Sequence, residues 1–379
     1  MSGTGGAAGS SWFQRFLLPG FALKAVIIGG GYATGRELAE YFLASGPWGG
    51  IAGMVFAMLL WSVIATVTFA YARQVRAFDY RAFFQSLLGP GWVVFEAAYI
   101  VFVVLILAVF GASAGAIGTA MFGWPALVGS TLLAVSIVVV AALGSGAVER
   151  VFKYVSILLY TVYALLLVFG LFTFGDRIST GFATPAPSDG WAAGGLTYAS
   201  YNIVGAVVIL PVLRHLTSQR DAVVAGLIAG PLTMLPAILF FVCMVAFYPA
   251  IGSETLPSDF LLRQLDMPVF HWAFQLMIFL ALLESGAGSV HAINERIAGV
   301  VRARRGHDLG TAARAIIGGV LLLMCVFVAE RIGLVTLIAS GYRLLAALFL
   351  IVFVLPLMTI GLFRLVRGRA TPIERETVS

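Results

Sequence analysis

The sequence predicts an all-α polytopic membrane protein: ten transmembrane helices in a five-plus-five inverted repeat, with helices 1 and 6 discontinuous. Three observations predict it. The composition is too apolar for a soluble domain, the basic residues collect in alternate loops, and two apolar runs at matching places in the halves are interrupted.

Of 379 residues, 61% are hydrophobic and 11% charged, with a mean hydropathy of +1.02. A soluble domain cannot hide that much apolar surface, so the bilayer is the solvent for most of it. Spanning runs fall at about 16–43, 48–72, 92–121, 125–143, 152–174, 192–213, 222–248, 270–300, 313–329 and 333–366. The last is over-long and predicts a short entry segment before the span proper. Seventeen Lys and Arg residues fall before run 1, in every second loop and after run 10. The opposite loops hold only Arg177, Arg263 and Arg331. Positive charge stays cytoplasmic, which predicts both termini inside and an even number of spans. The net charge of +6 thus reports topology, with no basic face for nucleic acid. The Gly/Ser-rich residues 1–11 read as a disordered tail, with no cleavable signal after them. Cys243 and Cys325 lie within spans as packing groups, and the four histidines lack metal-ligand spacing, so neither a metal site nor a cofactor is expected.

The Pro/Gly/Ser-rich segment 175–191 divides the chain into halves, 12–174 and 192–367, and reads as an extracytoplasmic linker loop; 368–379 reads as a cytoplasmic tail. Five spans per half give the halves opposite orientations. Inverted repeats of this kind recur in secondary transporters, with the substrate held at the repeat interface near the midplane by discontinuous helices.

In "AVIIGGGYATGRELAEYF", residues 25–42, an apolar run meets three glycines, then Tyr32, Thr34, Gly35, Arg36 and Glu37. Glycine costs helix stability, about 1 kcal/mol each relative to alanine, and lets a ligand or another backbone come close. Non-helical backbone at that depth is tolerated only beside a cavity. Gly29, Gly30, Gly31, Tyr32, Thr34 and Gly35 are therefore candidate substrate contacts. Freed amides near Tyr32–Thr34 suit an anionic group, and carbonyls near Ile28–Gly30 suit a cation. The bland alternative is close helix packing through small residues. A dinucleotide loop is excluded, because Thr34 stands where G-x-G-x-x-G needs glycine and no strand precedes it. Helix 6 supplies the matching interruption, with Tyr198, Tyr201, Asn202 and Gly205 in its middle and Pro211 beyond. The two tyrosines would offer hydroxyls and aromatic faces to an organic cation.

An ionisable residue deep in a span marks a functional site by default. Glu284, in the middle of helix 8 among Ser285, Gly286, Gly288 and Ser289, is the clearest; its alternative is a pairing with Arg343 or Lys24 that only joins helices. Glu37 either favours the dipole of the outer half-helix, reads a substrate amine, or gates the outer vestibule. Arg36 and Glu40 are spaced for an i, i+4 pair.

"GGGYATGRE" followed by "LAEYF", "YASYN" in helix 6 and "HAINERI" at the end of helix 8 resemble recurrent segments of the YkvI-like family of bacterial membrane proteins. That family reads G-A-G-F-A-S-G-Q-E in helix 1; this chain departs at Gly30, Tyr32 and Thr34 conservatively, and at Arg36, where glutamine is usual. The resemblance implies the LeuT-type fold of the amino acid–polyamine–organocation superfamily in a bacterial inner membrane. It implies alternating access with helices 1, 3, 6 and 8 lining the site, and Na+ near Ile28, Ser285 and Ser289. Glu284 is then a carboxylate near that ion or a proton carrier.

The expectation is therefore a transporter, not an enzyme. It would carry a small polar or zwitterionic solute such as an amino acid or amine by symport, coupled to Na+ or H+. A channel or a non-transporting sensor on the same fold is the alternative. Neither substrate identity nor oligomeric state is legible.

Overall fold

The structure, a computed structural model, describes residues 10–27, 30–143, 145–305 and 309–368. The two expected tails fall almost wholly outside this range, as do Ile28 and Gly29. Among the described residues the chain is helical with no strands.

Run 1 is built of pieces: α1 (Leu18–Ile27), α2 (Gly30–Ala33) and α3 (Arg36–Tyr41). Then follow α4 (Gly46–Val75), α5 (Tyr80–Leu88), α6 (Trp92–Phe122), α7 (Ala126–Ala142), α8 (Ser145–Thr173) and α9 (Gly175–Ala183). Run 6 comprises α10 (Trp191–Asn202), α11 (Gly205–Val208) and a 3-10 stretch, Leu210–His215. The chain continues through α12 (Gln219–Val245), α13 (Pro257–Leu265), α14 (Pro268–Arg305) and α15 (Thr311–Ile332). It closes with α16 (Leu334–Val366). Among the described residues six stretches are long and apolar enough to cross a bilayer: Arg36–Val75, Tyr80–Phe122, Gln219–Val245, Pro268–Gly299, Thr311–Ile332 and Leu334–Val366. Leu158–Thr173 with Gly175–Ala183, bent by 73°, is a seventh if counted as one span.

Two expectations change. Half of the expected loop 175–191 is helix: α9 begins with Asp176 in its first turn, where a carboxylate favours the dipole. Ile178 and Phe182 turn its apolar side to the core, and Trp48 donates to the Phe182 carbonyl at 3.1 Å. The last run has no separate entry segment. It is one helical run with π-turns at Leu337–Gly341, Leu350–Val354 and Leu357–Gly361; Pro356, lacking a backbone N–H, separates the last two.

The helices sort into two packing groups. In one, α4 lies against α12 and α10, and α1 against α12. The α4–α12 crossing is close because α12 presents glycines: a Cβ on Gly226 would lie 2.4 Å from the Thr66 Cα, and one on Gly230 would lie 2.3 Å from the Met58 carbonyl oxygen. Ser62 donates across it to the Leu227 carbonyl at 2.9 Å. In the other group α7 packs on α6, α14 and α15, and α8 on α14. There Ser130 donates to the Gly111 carbonyl at 2.8 Å. α16 meets the first group at α10, and Tyr41 of α3 donates to its Ile338 carbonyl.

Basic residues gather at one end of the bundle. Arg15 makes a two-pronged pair with Asp221, at 2.9 and 2.7 Å. Asp221 also closes a capping box with Ser218 at the start of α12. This pair ties the entry of run 1 to α12, and its carboxylate is nearly inaccessible (1% exposed). At the same end Arg296 reaches Glu96 at 2.7 Å, its guanidinium 4.3 and 4.6 Å from the ring centroids of Tyr80 and Tyr99. The "HAINERI" segment is thus a staple between α14, α6 and α5.

Asp221→Ala should destabilise the protein by removing the Arg15 pair and the α12 cap together. Its melting temperature should fall by several degrees. Arg15→Gln should lower it less, and the double variant should be little worse than Asp221→Ala alone. Thermal melts of the four proteins in one detergent check this. Gly226→Val should prevent the α4–α12 crossing and abolish monodisperse protein by size-exclusion chromatography.

Candidate functional site

Between α2 and α3 run 1 turns at one glycine. Gly35 adopts φ 77°, a left-handed conformation that side chains disfavour. A Cβ there would lie 3.0 Å from the Phe240 ring and 3.1 Å from Pro257. The Thr34 carbonyl, turned out of the helix, accepts from the Ser258 N–H of α13 at 2.9 Å. Gly30 and Gly31 instead lie in the helical turn of α2, so the left-handed residue stands beyond the glycine triplet. Gly29 and Ile28 lie outside the described residues.

In run 6, Ile203 and Val204 lie between α10 and α11, both with right-handed helical backbone. Asn202 is half-buried and donates back to the Tyr198 carbonyl at 3.2 Å. Gly205 is a packing residue: a Cβ there would lie 3.0 Å from the Leu23 side chain and 3.3 Å from Val26 of α1.

The two interrupted runs meet at Glu37. Its carboxylate, 4% exposed, accepts a hydrogen bond of 2.6 Å from the Tyr201 hydroxyl. It has no ion pair among the described residues. Tyr201 lies against Tyr342 of α16, with ring centroids 4.3 Å apart, and also meets Tyr198 and Tyr41. Tyr32, Tyr41, Tyr198 and Tyr342 are all within Coulombic reach of Glu37. The Tyr198 and Tyr342 hydroxyls are buried without a partner among the described residues. Trp61 backs the cluster, its ring centroid 5.5 Å from that of Tyr198 and its indole N–H on the Ala199 carbonyl at 3.1 Å.

Tyr41, Tyr342 and Trp61 were not among the candidates drawn from the sequence. Tyr41 carries a local signal, since it follows Glu37 by four residues and shares its helix face. Tyr342 and Trp61 carry none, because only the tertiary packing brings α16 and α4 to α10.

Arg36 points the other way. Its guanidinium donates to the Gly252 and Glu254 carbonyls, both at 2.9 Å. It also pairs with Glu40 at 3.1 Å, the expected i, i+4 pair. Arg343 pairs with the same Glu40 at 3.4 Å; it was one of two partners considered for Glu284. Arg36 therefore fastens α3 to the segment before α13, beside a cleft of about 360 Å³ lined by Thr119, Glu254, Leu256 and Asp259.

Glu284 lies on α14 among other neighbours. It is half-buried and interacts electrostatically with Tyr160 of α8, over whose ring the Lys24 ammonium stands at 4.4 Å. Ser289 donates to the Ser285 carbonyl at 2.9 Å, a bond within its own helix. Among the described residues no group of three or more His, Cys, Asp or Glu side chains could hold a metal.

This arrangement defines an all-helical membrane protein of the LeuT-type fold, shared with solved transporter structures. MhsT in complex with L-phenylalanine superposes with a TM-score of 0.55 at 16% identity, covering 95% of this chain and 98% of that one. A Na+-coupled sialic acid symporter in a substrate-bound outward-open state gives 0.56 at 11% identity, covering 93% and 82%. An Eremococcus coleocola manganese transporter gives 0.52 at 16% identity, covering 91% and 78%. In sequence the chain is a homologue of the uncharacterized membrane protein YkvI of Bacillus subtilis (strain 168), 23% identical over 290 residues, 73% of this chain and 79% of that protein. This relationship agrees with the resemblance read from the helix 1, helix 6 and helix 8 segments. No family model matches the chain.

Arg36→Gln, which installs the residue usual in YkvI-like sequences, should release the segment before α13 without touching Glu37. In a background lacking Cys243 and Cys325, a cysteine at fully buried Ser258 should react slowly with a water-soluble maleimide. Arg36→Gln should raise that rate by about tenfold, the loss of on the order of 1.4 kcal/mol of latch; an unchanged rate would mean that Arg36 does not hold the segment.

Proposed function

We propose that the chain is an ion-coupled secondary active transporter that works by alternating access. Its ten spans form a five-plus-five inverted repeat in a bacterial cytoplasmic membrane, with both termini and the arginine-rich end inside. A small polar or zwitterionic organic solute binds near the midplane where runs 1 and 6 are interrupted, among Tyr32, Thr34, Gly35, Tyr198 and Tyr201. Asn202 borders this site at the end of α10, Gly30 and Gly31 lie in α2 beside it, Gly205 packs on α1, and Gly29, outside the described residues, completes the glycine triplet.

One observation carries this reading: the Glu37–Tyr201 hydrogen bond joins the two interrupted runs next to both breaks. Buried polar groups at that depth are expensive and are kept for a task. The partition of the helices supports it too, since α1, α4, α10 and α12 form a group that could rock against α6, α7, α14 and α15. The names of the solved neighbours point the same way, with L-phenylalanine bound to one, and manganese and sialic acid carried by the others. Arg36, with Glu40 and the 250–254 segment, is the outer latch in this scheme. Glu284, with Ser285 and Ser289, is the ion-coupling group, and Na+ or H+ is the coupling ion.

Counterflow in proteoliposomes tests the reading. Vesicles loaded with an unlabelled amino acid and amine mixture should accumulate the labelled transported solute, and imposed Na+ and H+ gradients should identify the coupling ion. Gly35→Val should abolish uptake, because the side chain would meet both the left-handed φ and Phe240. Ion current without saturable counterflow would make the protein a channel.

A further inference from the structure

We infer that Glu37 is the recognition group for an organic ammonium, so that the solute of this site is a cationic amine. The inference deepens the transporter reading and rests on it for where the solute binds.

Glu37 is a buried carboxyl group without an ion pair among the described residues. A carboxylate removed from water costs several kcal/mol unless a counter-charge and hydrogen bonds replace its hydration. Glu37 is 4% exposed, and the hydrogen bond it accepts from Tyr201 is neutral. The two basic side chains on the adjoining segments are engaged elsewhere. Arg36 serves the Gly252 and Glu254 carbonyls and Glu40, and Arg343 pairs with Glu40. An ammonium on the solute would supply the counter-charge that lets this carboxylate stay ionised out of water.

Tyr41, Tyr198, Tyr201 and Tyr342 come from three helices and pack ring to ring, with Tyr201 hydrogen-bonded to the carboxylate. Tyrosine ring faces attract an ammonium. The Tyr198 and Tyr342 hydroxyls, buried without a partner among the described residues, can accept the ammonium N–H groups that Glu37 does not. A solute carboxylate in the same ring would meet Glu37 and aromatic faces, both unfavourable to an anion. A zwitterion brings that penalty along with its ammonium, so the ring selects the amine.

The test compares charge states on a common skeleton. Phenethylamine, L-phenylalanine and 3-phenylpropionate share one skeleton, and ethylamine, alanine and propionate repeat the series for a narrower space. Binding to the purified full chain is read by isothermal titration calorimetry and by melting temperature. At least one amine should bind about tenfold or more tightly than its zwitterion and its anion, a preference of about 1.4 kcal/mol or more. Glu37→Gln should remove that preference, and Tyr201→Phe or Tyr342→Phe should weaken amine binding severalfold. Each variant should first show a monodisperse profile. Should Glu37→Gln not purify, the wild-type ranking and the two tyrosine variants decide.

Equal or tighter binding of a zwitterion or anion, no binding of either amine up to millimolar concentration, or an unchanged preference in Glu37→Gln would overturn the assignment. Counterflow separates this failure from that of the transporter reading. Amine binding without counterflow overturns transport and leaves the ammonium site. Counterflow of an amino acid with no amine preference overturns the ammonium site and leaves transport.

Discussion

A buried carboxylate in an apolar bundle is the constraint on which the centre of this protein depends. Glu37 stands on α3, and its only described hydrogen-bond donor, the Tyr201 hydroxyl, stands on α10. For that bond to form, α3 must turn its second residue toward run 6 while the chain leaves α2 at a different angle. Gly35 permits the turn, because φ 77° is open to a residue without a side chain. The released Thr34 carbonyl is then satisfied by α13, as a backbone group at that depth must be. One hydrogen bond thus ties together a break, a turn and a covering segment.

Successive residues on a helix point about 100° apart, and Arg36 and Glu37 exploit this. The guanidinium faces outward to loop carbonyls and Glu40, while the neighbouring carboxylate faces inward to tyrosines. Two charges adjacent in sequence therefore do not neutralise each other. Three oxygens take the Arg36 terminal N–H groups, while its Nε is buried without a partner among the described residues.

Of the three segments that resemble YkvI-like sequences, two meet at the centre and one does not. "GGGYATGRE" and "YASYN" supply Glu37 and Tyr201 to the same hydrogen bond. "HAINERI" supplies Arg296, which joins Glu96 and two tyrosine rings at the arginine-rich end. A recurrent segment can be kept for a staple as well as for a site.

Hydropathy made the helical membrane class legible. That class depends on composition and local spacing, which are properties of short stretches of chain. The i, i+4 pair of Arg36 and Glu40 was legible for the same reason. Helix in the first half of segment 175–191 was not, because its turn signals outweigh an amphipathic pattern only nine residues long. Nor were the position of the left-handed glycine, the partner of Glu37 or the enclosing Tyr342 and Trp61. Many glycines in run 1 can bend a helix, and several tyrosines can reach a carboxylate. Only the packing of α3 against α10, α13 and α16 decides which of them does, since each contact joins residues more than a hundred positions apart.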